Sequence, residues 1–114
     1  MPARTSRRPL RILRYDTTDN GGVPLAGGGL IDSFGAPCFG WQVLTIYLRV
    51  ALASQIEVYQ RLRANSAWAL TDQWIFLGAT TQRVVVRLTG EHVRVLFTNG
   101  VGPQTPELVC TLDT

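Results

Sequence analysis

The stretch VVVRLTGEHVRVLFTNG, residues 84–100, carries the decision about the fold. Apolar and polar residues alternate on both sides of Gly90, which is the period of two that strands show and helices do not. With a loop over Thr89–His92, an antiparallel hairpin is predicted in which Leu88 faces Val93, Val86 faces Val95 and Val84 faces Phe97. Those side chains form a core face. The same register sets Arg87 opposite Arg94, Val85 opposite Leu96 and Arg83 opposite Thr98. Like charges directly across a sheet repel by roughly 0.2–1 kcal/mol unless something neutralises them. An acid of a neighbouring strand, Glu57 foremost, would serve, and so would carboxylates of a partner. Arginine beside large apolar groups also has the composition of an interface centre, which makes Arg83, Val85, Arg87, Arg94 and Leu96 candidate partner-binding residues.

The same period extends through the preceding sequence. Leu44, Ile46, Leu48, Val50 and Leu52 fall on one face of a strand, with Val43, Thr45, Tyr47, Arg49 and Ala51 on a wet or interfacial face. Ile56, Val58 and Gln60 against Glu57, Tyr59 and Arg61 repeat the pattern. A helix over Leu48–Leu62 competes on propensity, but Val50, Ile56, Val58 and the tyrosines favour strands. Asn65 and Ser66 mark a turn before a strand over Trp68–Phe76, the segment LGATTQ marks another, and Glu107–Leu112 closes the chain. The prediction is all-β: a single β-sandwich or jelly roll of about seven to eight antiparallel strands with an extended basic N-terminal arm. Residues 1–40 are expected to form the arm and a glycine-rich wrapping loop, and residues 41–114 the sandwich. Within the first part, Leu10–Tyr15 reads either as a first strand or as part of the arm.

A chain of 114 residues, 46% hydrophobic and 17% charged, suits one globular domain that buries roughly two-thirds of its unfolded surface. Its apolar run at Val43–Ala53 is interrupted by Arg49 and is far short of the roughly 20 residues that span a bilayer, so no membrane partner is expected. The N-terminus lacks the apolar core of a secretory signal. The net charge of +3 is unevenly placed. Arg4, Arg7, Arg8, Arg11 and Arg14 precede the first acid, Asp16, whereas the rest of the chain holds more acids than arginines. The arm is therefore a candidate contact for acidic surfaces or phosphate, or else a solvated tail.

Several chemistries are disfavoured. Every basic residue apart from His92 is arginine, which removes Schiff-base, phosphate-loop and general-base lysines. GGVPLAGGG matches no nucleotide-binding spacing, and it reads as turns. Cys38 and Cys110 have no CxxC partner and a single histidine to join them, so neither a metal nor another cofactor is expected, and two buried thiols are the default. His92 is expected exposed in its turn. Asp16, Asp19 and Asp32 lie in the glycine-rich segment without a calcium or glycosidase spacing, and no enzyme activity is expected.

The order of an alternating strand ending in Ala-Ser, then IEVYQ, a polar turn with a tryptophan, FLGATTQRVVVRL, GEHVRVLFTNG and a final strand resembles small β-sandwich modules of tailed-phage virion proteins. These include capsid decoration (cement) proteins and fibre appendages. The resemblance covers residues 41–113 and is carried most by Gly90, Val93, Arg94, Val95 and Asn99. It implies a structural virion protein, often trimeric, that binds and stabilises an assembled shell, with the major capsid protein or another virion protein as partner. The alternatives are a carbohydrate- or receptor-binding appendage module using Trp68 or Trp74, and nucleic-acid binding through the arginine arm. The last is weakest, because Tyr15 alone supplies an aromatic beside the arm.

Overall fold

The computed structural model describes residues 8–16 and 22–114. Two antiparallel sheets face each other. The first has the order β1 (Leu10–Tyr15), β9 (Glu107–Asp113), β4 (Val43–Val50), β7 (Thr80–Arg87). The second has the order β2 (Leu30–Asp32), β8 (His92–Asn99), β5 (Ser54–Arg61), β6 (Ala69–Phe76), and β3 (Ala36–Pro37) continues the β2 edge along β8. The protein is an all-β sandwich.

Alternation explains the layering. Leu44, Ile46, Leu48 and Val50 of β4, Val86 of β7, and Leu108, Cys110 and Leu112 of β9 point inward from the first sheet. Ile56 and Val58 of β5, with Val93, Val95 and Phe97 of β8, meet them from the second. Each such side chain taken out of water contributes roughly 1.5–3 kcal/mol. Tyr15, Leu13 and Ile12 of β1 and Trp74 of β6 pack at the margins of this core.

The hairpin predicted over residues 84–97 does not form. β7 pairs with β4 and β8 pairs with β5, so Arg87 lies opposite Val43 and Arg94 opposite Tyr59. Val84 and Val86 face Val93, Val95 and Phe97 across the core and not along one sheet. The segment between the strands crosses from sheet to sheet, and Gln60 holds it there. Its Oε1 accepts from the Thr89 N–H at 2.7 Å and the Gly90 N–H at 3.2 Å, while its Nε2 donates to Arg87 O at 3.1 Å. Gly90 lies so close to β5 that a Cβ there would sit 2.4 Å from Arg61 O. Most other connections also change sheets. Among the described residues, only β5 and β6 are consecutive strands of full length that pair, over the expected turn at Asn65 and Ser66.

Residues expected in the arm and wrapping loop contribute β1, which pairs with β9, and β2 and β3, which pair with β8. The glycine-rich segment is fastened by a buried amide pair. Asn99 Nδ2 donates to Leu25 O, Ala26 O and Gly102 O, and Gln104 Nε2 donates to Asn99 Oδ1 at 2.6 Å. Gln104 Oε1 in turn accepts from the Ala51 and Leu52 N–H groups. Full satisfaction is what lets these amides stay buried at no net penalty. The turn expected over LGATTQ is shorter than predicted, since Thr80–Gln82 already belong to β7.

Candidate functional site

The outward side of the first sheet gathers five of the ten predicted partner-binding residues, Arg11, Arg14, Arg83, Val85 and Arg87. Register places Arg14, Val109, Tyr47 and Arg83 in one row across β1, β9, β4 and β7. Arg11, Thr111, Thr45 and Val85 form the next row, followed by Asp113, Val43 and Arg87. At the opposite end stand Glu107, Arg49 and Thr81. Valines and one tyrosine therefore lie between arginines, and Val85 and Tyr47 remain 49% and 48% exposed.

The acids on this face are partly engaged. Asp113 accepts from the hydroxyls of Thr45 at 3.3 Å and Thr111 at 3.4 Å, and Glu107 stands 3.8 Å from Arg49. Arg14 pairs with Asp16 at 2.5 Å. Arg83 lies over the Tyr47 ring, 5.8 Å from its centroid. Arg87 makes no ion pair among the described residues. Two depressions open here: one of about 330 Å³ beside Tyr47, Arg83, Glu107 and Val109, and one of about 570 Å³ beside Trp41, Val43, Val85 and Arg87. The arrangement suits electrostatic and apolar contact with another surface. Among the described residues no three histidine, cysteine or carboxylate side chains converge on a metal position.

Arg94 and Leu96 lie elsewhere, on the outward side of the second sheet. Arg94 grips Asp32: its Nε donates to Oδ1 at 2.9 Å and Oδ2 at 3.1 Å, and its Nη2 donates to Oδ2. Those bonds, with the Phe34 N–H donating to Oδ1 at 2.7 Å, hold the Asp32 carboxyl below its ordinary range and raise Arg94 further. Glu57 is occupied by the Tyr59 hydroxyl at 2.8 Å and Gln55 Nε2 at 3.2 Å, and its hydrogen bond pushes the Tyr59 phenol up. The neutralising acid is thus Asp32 of β2, which the pairing of β2 with β8 brings beside Arg94. Of the arm, Arg8 is exposed ahead of β1, while Arg4 and Arg7 lie outside the described residues.

Tyr47, Arg49, Val43 and Val109 were not among the predicted partner-binding residues, although the alternation of β4 already set the first three on an interfacial face. Trp74 packs against the core, and the ring of Trp68 carries the Arg61 guanidinium 4.3 Å from its centroid. His92, expected to be exposed, is half-buried as the first residue of β8, opposite Arg61 and Pro37. Cys38 and Cys110 are both free and buried.

Two packed antiparallel sheets, one with a basic, partly apolar outward face, make this chain a β-sandwich. The structure is similar to that of the PBSX exported protein XepA, with a TM-score of 0.72 at 12% identity over 94% of this chain. It is also similar to PirA, with a TM-score of 0.51 at 13% identity over 80% of this chain and 87% of that one. The chain spans 37% of the length of the XepA chain. At such identities the likeness is one of fold alone. The sequence matches no protein-family model and no curated protein.

Proposed function

We propose that the protein is a non-catalytic structural module of a phage-derived particle, docking by the outward face of its first sheet onto an acidic, partly apolar surface of a neighbouring virion protein. In the most specific form of this reading it decorates the shell and bridges copies of the major capsid protein. The observation that carries it is the clustering of Arg11, Arg14, Arg49, Arg83 and Arg87 around Tyr47, Val43, Val85 and Val109, with Asp16, Glu107 and Asp113 as the acids beside them among the described residues. Buried apolar area would supply affinity, and charge would supply orientation and encounter rate. The fold shared with the phage PBSX protein supports a phage setting. Valines alternating with the arginines favour a protein surface over a nucleic-acid strand, which would call for more stacking aromatics than Tyr47.

Purified particles from the source strain, probed with an antibody to this chain and then stripped and reloaded, provide the test. The chain should be a fixed component of the particle, rebind after stripping, and bind less tightly as salt is raised. A chain found only in the soluble fraction, or one retained by DNA and not by particles, would overturn the reading.

A further inference from the structure

Among the described residues, β7 stands at an open edge of the first sheet. Open edges recruit further strands, and native chains usually blunt them with bulges, breaks or charge. The other edges here carry such defects. β1 skips Ile12 in its pairing with β9, β6 skips Thr71 in its pairing with β5, and the β2–β3 edge is interrupted at Ser33–Gly35. β7 instead runs eight residues in unbroken register with β4, without proline or glycine. Beyond its end, the Leu88 N–H donates to Gln42 O on the β4 side. Backbone groups alternate sides along a strand, so those of Thr81, Arg83 and Val85 point away from β4, to the open edge, as does the Arg87 N–H, while the Arg87 carbonyl accepts from Gln60 Nε2. The side chains of the same residues lie on the arginine-bearing face.

We propose that β7 takes up an extended strand of a different polypeptide, one that alternates acidic and apolar side chains, by backbone hydrogen bonding along this edge. The proposal rests on the docking reading above and specifies its mode. Charge selects the occupant. Residues opposite Arg83 and Arg87 in an added strand fall on the arginine-bearing face, within about 5.5 Å, where carboxylates are favoured. The intervening side chains of that strand would continue the inner layer of Val84 and Val86. Pairing β7 with β7 of a second copy sets Arg83 against Arg87 of the partner when centred on Val85 and sets Arg83 against itself when centred on that residue, whereas centred on Val84 it sets Arg83 against Val85 and Arg87 against Thr81, so like charge opposes two of these three registers. A second copy of β7 carries no acid in any register, so an acidic strand is the occupant that the two arginines select. The depression beside Trp41, Val85 and Leu88 lies at the end of the same edge, where one further apolar side chain can lodge.

The probe is a blocked nine-residue peptide of alternating glutamate and valine, titrated against the full chain, with a lysine–valine peptide as control. Binding of the acidic peptide alone is expected. Val85→Pro removes an edge-facing N–H without touching the pairing to β4, a position where edge strands tolerate proline. It should weaken the peptide at least about tenfold at unchanged secondary structure. Peptides N-methylated on one alternate set of amides should lose binding and those methylated on the other set should keep it, a comparison that needs no altered protein. No binding of the acidic peptide, equal binding of both N-methylated sets, or equal binding by a folded Val85→Pro variant would overturn strand addition. Self-association of the wild-type chain that Val85→Pro abolishes would replace the proposed occupant with a second copy. The docking reading fails separately, if the chain is absent from particles whatever the peptide does.

Discussion

Arg94 commits its guanidinium to Asp32 within its own sheet, and this changes the sign of a substitution. Opposite Arg87, as the hairpin register has it, Arg94→Glu would relieve repulsion. Beside Asp32 it sets carboxylate against carboxylate, so the variant should lose about 1.5–3 kcal/mol in urea unfolding, the range for hydrogen bonds to charged groups. Unchanged stability would contradict the pairing. Asp32 also links this contact to pH. Its folded carboxyl titrates below the ordinary value of 3.8, chiefly through the Arg94 hydrogen bond. The contribution is therefore present above that value and lost as pH falls through the lower folded one. Asp32→Asn should be less stable at pH 7 and show a shallower loss of stability below pH of about 4, and parallel acid limbs would refute the linkage. The thiols make a separate prediction. Burial raises Cys38 and pushes Cys110 up to about 12, so alkylation at pH of about 8 should await unfolding. Rapid labelling of Cys110 in the native protein would show that β9 is not packed as described.

At the scale of the element, the β7–β8 crossing is the feature that alternation could not specify. A period of two assigns faces, and Val84, Val86, Val93, Val95 and Phe97 all point inward as expected. It does not say whether two inward faces lie side by side in one sheet or meet across a core. The decision rests with Gln60, a polar residue on the apolar face of β5, whose amide satisfies the crossing segment. Gln60→Leu should strip partners from Thr89, Gly90 and Arg87 and cost about 2–4 kcal/mol. Gly90→Ala should destabilise comparably, because its Cβ meets the Arg61 backbone, whereas Gly78→Ala, with nothing within 4 Å, should be nearly neutral. Denaturant midpoints of the three variants test this, and equal midpoints for Gly90→Ala and Gly78→Ala would contradict the close approach of the crossing to β5. The strands of Val43–Val50 and Ser54–Arg61 were legible from period together with β-branched content, and the last strand was expected over Glu107–Leu112, one residue short of its end. β2 and β3 were not, since three- and two-residue strands in a glycine-rich segment leave no periodic trace.

For the whole molecule, the candidate site was legible in its ingredients and not in its assembly. Arginine among valines marked residues 83–87, and the interfacial side of β4 was readable, but the union of β1, β9, β4 and β7 depends on pairings between segments far apart in sequence. The resulting face unites Arg11 and Arg14 with Arg83 and Arg87 and leaves Arg94 and Leu96 on the opposite side of the sandwich. Charge reversal can therefore address one face at a time. Arg83 and Arg87 are exposed and unpaired with acids among the described residues, so Arg83→Glu with Arg87→Glu should fold with a melting temperature close to wild type. Unpaired charge placed in an interface costs roughly 2–5 kcal/mol, enough to be read directly as lost affinity. The decisive measurement is co-sedimentation with stripped particles of the wild-type chain, this double variant and Leu96→Glu on the second sheet, each first shown to be folded. Loss of binding at least about a hundredfold in the double variant, with Leu96→Glu close to wild type, is the predicted result. Full binding by the double variant with loss in Leu96→Glu would place the docking surface on the other sheet and contradict the account.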